Sequence, residues 1–178
     1  TALAAVLKKT KITHLNLAYN ELCGLDSRGW GTYTAEGITK LCDALKGSAV
    51  TSLNLYRNDI GAKSVIALAA SLNKTKITNL DLRRNKLGPE TGAALAKGLK
   101  GNTTLQSINL ERNFLGAKGA TALAAVLKKT KITHLNLAYN ELCGLDSRGW
   151  GTYTAEGITK LCDALKGSAV TSLNLYRN

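Results

Sequence analysis

Length, composition and charge exclude several classes of protein. The chain has 178 residues, 44% of them hydrophobic, one proline and a formal net charge of +12, so it is long enough to bury a sizeable core and too apolar to be intrinsically disordered. No apolar run approaches the roughly 20 residues of a transmembrane helix, and four cysteines are too few for a disulfide framework.

The predicted elements alternate between helix and strand along the chain. A helical phrase, TALAAVLKK, occupies residues 1–9, and the short Leu-x-Leu strand HLNLAYN follows at 14–20. Five further strand phrases end, like the first, on an asparagine; the six are Asn20, Asn58, Asn85, Asn113, Asn140 and Asn178. Helical phrases with Leu and Ala at i, i+3 and i+4 lie between them. The sequence therefore predicts six strand-helix units of 27–28 residues, two of which carry an insertion of about ten residues.

A longer repeat contains this short one. Residues 1–58 and 121–178 are identical, so the chain is a 120-residue super-repeat followed by nearly half of the next copy. Natural duplications diverge, and their loops diverge fastest. We therefore predict one solenoid over residues 1–178, made as or cut from an engineered tandem array; a very recent natural duplication is the alternative.

The short repeat resembles a known family. The phrase L-x-x-L-x-L-x-x-N-x-L-G-x-x-G-x-x-x-L-A-x-x-L is similar to the ribonuclease-inhibitor-like class of leucine-rich repeats, and it recurs along essentially the whole chain. The resemblance implies an α/β fold, a curved solenoid with parallel strands on the concave face and helices on the convex face. It also implies a binding scaffold. The asparagine column is expected to be structural, satisfying backbone groups of neighbouring turns.

The ends of the chain carry a separate expectation. TALAAVLKK begins part-way into a helix, and Asn178 directly follows a strand, so neither end shows a polar capping repeat. Exposed leucines and strand edges are expected there. The sequence therefore predicts a protein partner or self-association by end-to-end stacking.

The concave face is predicted to carry tyrosines beside arginines. We call this set the Tyr/Arg ladder: Tyr19, Tyr56, Arg57, Arg83, Arg84, Arg112, Tyr139, Tyr176 and Arg177. Tyr and Arg are frequent anchors of protein interfaces, but solvent-facing side chains on adjacent strands can also simply stack on one another. The sequence leaves both interpretations open.

The insertion GLDSRGWGTY, at residues 24–33 and 144–153, interrupts the pattern between a strand and its helix. An exposed loop tryptophan would be a good interface anchor, which makes Trp30, Tyr33, Trp150 and Tyr153 candidate binding residues. Because an exposed indole is costly to leave in water, we expect Trp30 to fold back over the solenoid rim instead.

Lysines account for most of the positive charge. Eleven of them fall where a helix ends and the chain returns to a strand: Lys8, Lys9, Lys11, Lys46, Lys74, Lys76, Lys100, Lys128, Lys129, Lys131 and Lys166. Cations at helix C-termini complement the helix dipole. The alternative is a polyanion-binding edge, for example for nucleic acid, although no aromatic residues for base stacking are interleaved.

Catalytic, metal and cofactor sites are not expected. His14 and His134 lie on strands with no partner acid or nucleophile in their phrases, and no P-loop, GxSxG, HExxH or CxxC motif occurs. Cys42 takes the position of core alanines, and Cys23 takes that of a turn glycine; a Cys23–Cys42 disulfide is an alternative. Reduced cysteines and no visible signal peptide favour the cytoplasm if the protein is natural. The overall prediction is a non-catalytic interaction scaffold.

Overall fold

The computed structural model describes residues 2–26, 28–146 and 148–178. Strands and helices alternate as predicted. In chain order the elements are α1 (Ala2–Leu7), β1 (His14–Asn16), α2 (Glu36–Leu45), β2 (Ser52–Asn54), α3 (Ala62–Leu72), β3 (Asn79–Asp81), α4 (Gly88–Leu99), β4 (Ser107–Asn109), α5 (Gly116–Leu127), β5 (His134–Asn136), α6 (Glu156–Leu165) and β6 (Ser172–Asn174).

The six strands form one parallel sheet in sequential order, β1 to β6. Equivalent residues pair across neighbouring strands, so Leu53 lies opposite Leu80, which lies opposite Ile108. This register stacks the inward-facing side chains of successive units into a continuous apolar column, and these three residues are buried. Burying one such side chain stabilises the fold by about 1.5–3 kcal/mol.

The helices cover the other side of this core. Leucines one turn apart, such as Leu95 and Leu99, face inward and are buried, as the i, i+4 spacing predicts. The helices pack very closely between α4 and α5: a Cβ on Gly92 would lie 2.5 Å from the Cα of Gly119. Glycine is required there because any side chain would push the helices apart.

The α/β solenoid expected from the repeats is thus confirmed. No helix among the described residues is long and apolar enough to cross a membrane.

Candidate functional site

The buried asparagines fix the strand ends. Asn85 is fully buried, and its Oδ1 accepts hydrogen bonds from the backbone amides of Asn58 (2.9 Å) and Ile60 (3.3 Å) in the preceding unit. Its Nδ2 donates to three carbonyls, those of Leu55, Leu82 and Arg83. Asn58, Asn113 and Asn140 bond in the same way. The predicted structural role of this column is confirmed, and the turns of adjacent units are joined to one another.

Residues on either side of these asparagines adopt a left-handed backbone conformation. Three arginines of the ladder follow consecutive strands, and these residues, Arg57, Arg84 and Arg112, have φ values of 51°, 52° and 56°. Such values are uncommon outside glycine and asparagine. They persist because the surrounding bonds hold each turn, as when the amide of Arg57 donates to the carbonyl of Arg83 at 3.1 Å.

The tyrosines and arginines of the ladder stack on one another. The rings of Tyr19 and Tyr56 meet edge to face with centroids 5.0 Å apart, and their hydroxyl oxygens lie 3.3 Å apart. The Arg57 guanidinium lies over the Tyr19 ring at 5.3 Å. Hydrogen bonds with Tyr56 and then with Arg57 lower the pKa of Tyr19. In the second copy, Tyr139 and Tyr176 repeat the edge-to-face contact at 5.4 Å.

The middle of the ladder is held by charged contacts. Arg83 lies over Tyr56, and its Nη2 donates to Oδ2 of Asp81 at 2.7 Å. Arg112 lies over the ring of Tyr139, 4.1 Å from its centroid. The mutual stacking considered in the sequence analysis is therefore present. It is compatible with binding as well, because Tyr19 and Tyr176 both remain 59% exposed.

A cavity of about 290 Å³ opens beside the first half of the ladder. Its lining includes Tyr19, Glu21, Arg57, Arg84, Lys86 and Phe114. A second, larger cavity of about 760 Å³ lies beside the second inserted segment, residues 144–153. Phe114 lines both.

Phe114 is a candidate residue that the sequence reasoning missed. It has a φ of 57° and is 51% exposed. A signal was available, because the equivalent positions in the other units hold charged residues: Glu21, Asp59, Lys86 and Glu141. Phe114 therefore places an exposed apolar side chain between the two cavities, at a position that is charged in the other units.

Each inserted segment forms a small closed hairpin. Leu25 pairs with Gly31 in an antiparallel bridge, and the Asp26 carboxylate accepts hydrogen bonds from the amides of Arg28 and Trp30, both at 2.9 Å. The second copy has the same arrangement around Asp146. Those two amides lower the pKa of the Asp146 carboxyl.

The expected folding back of the tryptophan is wrong. Trp30 is 73% exposed and Trp150 is 72% exposed. The hairpin closes on its own aspartate instead of on the solenoid, which leaves the indole at the surface. In the second copy Arg148 lies over the indole of Trp150 at 5.1 Å.

Tyr33 makes the contact with the next unit in place of Trp30. Its hydroxyl lies 2.8 Å from Oγ of Ser64, and its ring packs over Gly61, where a Cβ would approach ring atoms to 3.3 Å. The equivalent Tyr153 is 67% exposed. Tyr33 therefore anchors the first hairpin, whereas Tyr153 lines the second cavity.

The cysteines are free thiols. Cys42 lies in the core at 3% exposure, as predicted, and Cys23 is fully buried, with its Sγ 3.4 Å from Oγ of Ser64. Burial raises the pKa of both thiols. The alternative Cys23–Cys42 disulfide is not formed.

The eleven lysines that lie between a helix and the following strand, here called the lysine edge, are exposed except for Lys46, which is half-buried. Lys46 directly follows α2 and forms an ion pair with Asp43, in the last turn of that helix, at 2.7 Å. Across the part of the chain that the structure describes, His, Cys, Asp and Glu residues form no group of three or more that could hold a metal ion.

Comparisons with known proteins agree with this architecture. A leucine-rich-repeat family model matches residues 49–69, 73–96 and 101–124. A solved structure of leiomodin-1 actin-binding site 2 has a similar fold, with a TM-score of 0.66 at 19% sequence identity, over 93% of this chain and 87% of that one. A comparison with curated protein sequences finds no match. The repeat matches and the shared fold together show that the chain has the leucine-rich-repeat solenoid fold.

Proposed function

We propose that this protein is a non-catalytic scaffold that binds a protein partner through the Tyr/Arg ladder and the two hairpins. The observation that carries the proposal is the exposure of Trp30 and Trp150, at 73% and 72%. A tryptophan on a closed hairpin loses little conformational entropy on binding, and burying its indole in a partner removes a large apolar surface from water.

The arrangement of the ladder supports the same proposal. Its tyrosine rings and all its guanidiniums except that of Arg84 are already in stacked contacts, so side-chain ordering opposes binding less than it would for free side chains. Phe114 and the two cavities add apolar surface between the hairpins. The similar fold of an actin-binding segment of leiomodin-1 adds a precedent for protein binding, by analogy of fold alone.

Selection from a random peptide library on the wild-type protein tests the proposal. Selected peptides should bind the Trp30→Ala/Trp150→Ala variant at least about ten-fold more weakly, because a tryptophan hot spot contributes about 2 kcal/mol or more. The matched control is Ile66→Ala, which removes an apolar side chain of 54% exposure from α3. Peptides that bind all three proteins equally, or no enrichment at all, would contradict the proposal.

Self-association is the second form of the proposal. In the described sheet β1 and β6 each pair on one side only, and Leu15 and Leu173 are half-buried where the inner strands bury the equivalent leucine. Unpaired strand edges favour pairing with another chain. Light scattering during size-exclusion chromatography from low to high micromolar protein tests this: growth in mass supports it, and a monomer throughout contradicts it. An engineered origin stays a prediction.

A further inference from the structure

Three consecutive strands each present an arginine at the same position of the ladder. Arg57, Arg84 and Arg112 all directly precede a buried asparagine, and all line the cavity of about 290 Å³. Neighbouring strands lie about 4.8 Å apart, so the guanidiniums project from backbone positions spaced by about that distance. The hydrogen bonds of the asparagine column hold these positions fixed.

Three cations beside Arg57 and Arg84, namely Arg83, Lys86 and Arg112, already have partners within the protein. Arg83 bonds to Asp81, and Lys86 forms an ion pair with Asp59 at 2.7 Å. Arg112 lies over Tyr139, with its Nε 3.7 Å from a carboxylate oxygen of Glu111, and that Nε is buried without a hydrogen-bond acceptor.

Arg57 and Arg84 differ from these cations. No carboxylate of the described residues lies within 4.0 Å of either guanidinium. Arg57 has the ring of Tyr19 beneath it, whereas Arg84 has neither a ring nor a carboxylate among the recorded contacts and is half-buried at the cavity wall. The cavity lining, with four basic residues against Glu21 and Asp59, therefore carries an excess of positive charge.

We infer that this cavity binds the carboxylate side chains of an acidic, extended segment of the partner protein, with Arg84 as the central contact and Arg57 beside it. This inference rests on the proposed function. An arginine fork binds a carboxylate through two parallel N–H···O bonds. Side chains on one side of an extended segment recur about every 6.7 Å, and the long arginine side chains can span the difference from the strand spacing of about 4.8 Å. The cavity is at the lower end of ligand-pocket volumes, so it fits individual side chains.

One carboxylate opposes such a ligand. Glu21 lines the same cavity, is exposed and forms no recorded ion pair, whereas Asp59 is neutralised by Lys86. Glu21 therefore repels an acidic segment and limits its affinity. The inference therefore predicts that removing the Glu21 charge strengthens the binding of an acidic segment.

Fluorescence anisotropy with a fluorescein-labelled hexaglutamate peptide tests the inference, with hexaglutamine as the neutral probe. Arg84→Gln is expected to weaken hexaglutamate binding about ten-fold, since a charge-assisted bond contributes about 1.5–3 kcal/mol. Arg84→Lys keeps the charge, loses the fork and should fall between the two. The control is Lys63→Gln, which removes one positive charge from the exposed side of α3, outside this cavity. Unchanged thermal denaturation confirms that each variant is folded.

The second arm uses Glu21→Gln, expected to tighten hexaglutamate binding about three-fold, by the reduced repulsion of one near-surface charge. Its charge-matched control is Glu156→Gln on α6, expected to change nothing. Absent hexaglutamate binding, equal losses in Arg84→Gln and Lys63→Gln, or no gain in Glu21→Gln would each overturn the inference.

A different outcome would show that anions bind at the lysine edge instead of at the Arg84 cavity. If oligothymidylate binds as tightly as hexaglutamate, and Lys76→Gln/Lys100→Gln weakens both probes while Arg84→Gln weakens neither, the site is a polyanion edge and the inference is wrong. Peptides from the library selection that still depend on Trp30 and Trp150 would then keep the proposed function intact.

Discussion

Replacing Asn85 by alanine should destabilise the protein strongly. The substitution removes five hydrogen bonds of a fully buried side chain. It leaves two backbone amides of the preceding unit without their acceptor, whereas the three carbonyls each keep another donor. An unsatisfied buried amide costs about 1–3 kcal/mol, so the two amides alone predict a loss of about 2–6 kcal/mol in the free energy of unfolding.

Asn20→Ala is the matched control. Asn20 occupies the same position of the repeat, but it is exposed, and its one recorded side-chain bond is donated to the carbonyl of Ala18 in its own turn, at 2.9 Å. Solvent can replace that bond, so the expected loss is below about 1 kcal/mol.

Urea denaturation followed by circular dichroism measures both variants against the wild type. Stacked repeats can unfold in stages, so the transition midpoint and its slope are both compared. Equal losses for the two variants would refute the reasoning, because burial of the asparagine would then not matter. A loss below about 1 kcal/mol for Asn85→Ala would refute it as well.

Two further predictions concern the chemistry of single groups. Cys23 should react with a thiol reagent far more slowly than Cys143 despite identical local sequence, because Cys23 is fully buried and burial raises its pKa; mass spectrometry of the alkylated protein measures this, and equal rates would contradict it. Hydrogen bonds in the fold lower the pKa of the Asp146 carboxyl. The stabilisation of the hairpin by these bonds is therefore complete above the unfolded pKa of about 3.9, and it is lost as the pH falls through the lower pKa of the folded state. Trp150 fluorescence should change in that acidic range in the wild type and show no such step in Asp146→Ala.

The fold was predictable because its information is periodic. Leu-x-Leu followed by asparagine recurs with fixed spacing, and a unit of this kind can bury its apolar side chains only by stacking on another. The strands are only three residues long, so hydrophobic alternation within one strand would have been a weak signal. Repetition over six units made it strong.

The exposure of the tryptophan was not predictable from the same pattern. The expectation weighed the cost of leaving an indole in water, but Asp26 and two glycines close the hairpin before Trp30 can reach the rim. The side chain that reaches the next unit is Tyr33, three residues later. Local hydrogen bonds decided the direction of the loop, and residue hydrophobicity did not.

The backbone conformation of the ladder also could not be predicted from residue preferences. Positive φ values are usually assigned to glycine or asparagine, yet Arg57, Arg84 and Phe114 adopt them here. The conformation is imposed by the neighbouring buried asparagine, which needs the turn to bring its side-chain oxygen and nitrogen within reach of the preceding unit. The side chains at these positions are therefore free to vary in chemistry, and they form the candidate site.

The two identical copies show what the sequence of one unit cannot determine. Tyr33 is half-buried against Ser64 of the next unit, whereas Tyr153, with the same neighbours in sequence, is 67% exposed. Cys42 is 3% exposed and its copy Cys162 is exposed. The difference arises because α3 packs against α2 and no equivalent helix packs against α6 in the described chain. The exposure of a side chain and the reactivity of a thiol are thus properties of a pair of stacked units. A partner that covered α6 would bury Tyr153 to the extent that α3 and its turn bury Tyr33.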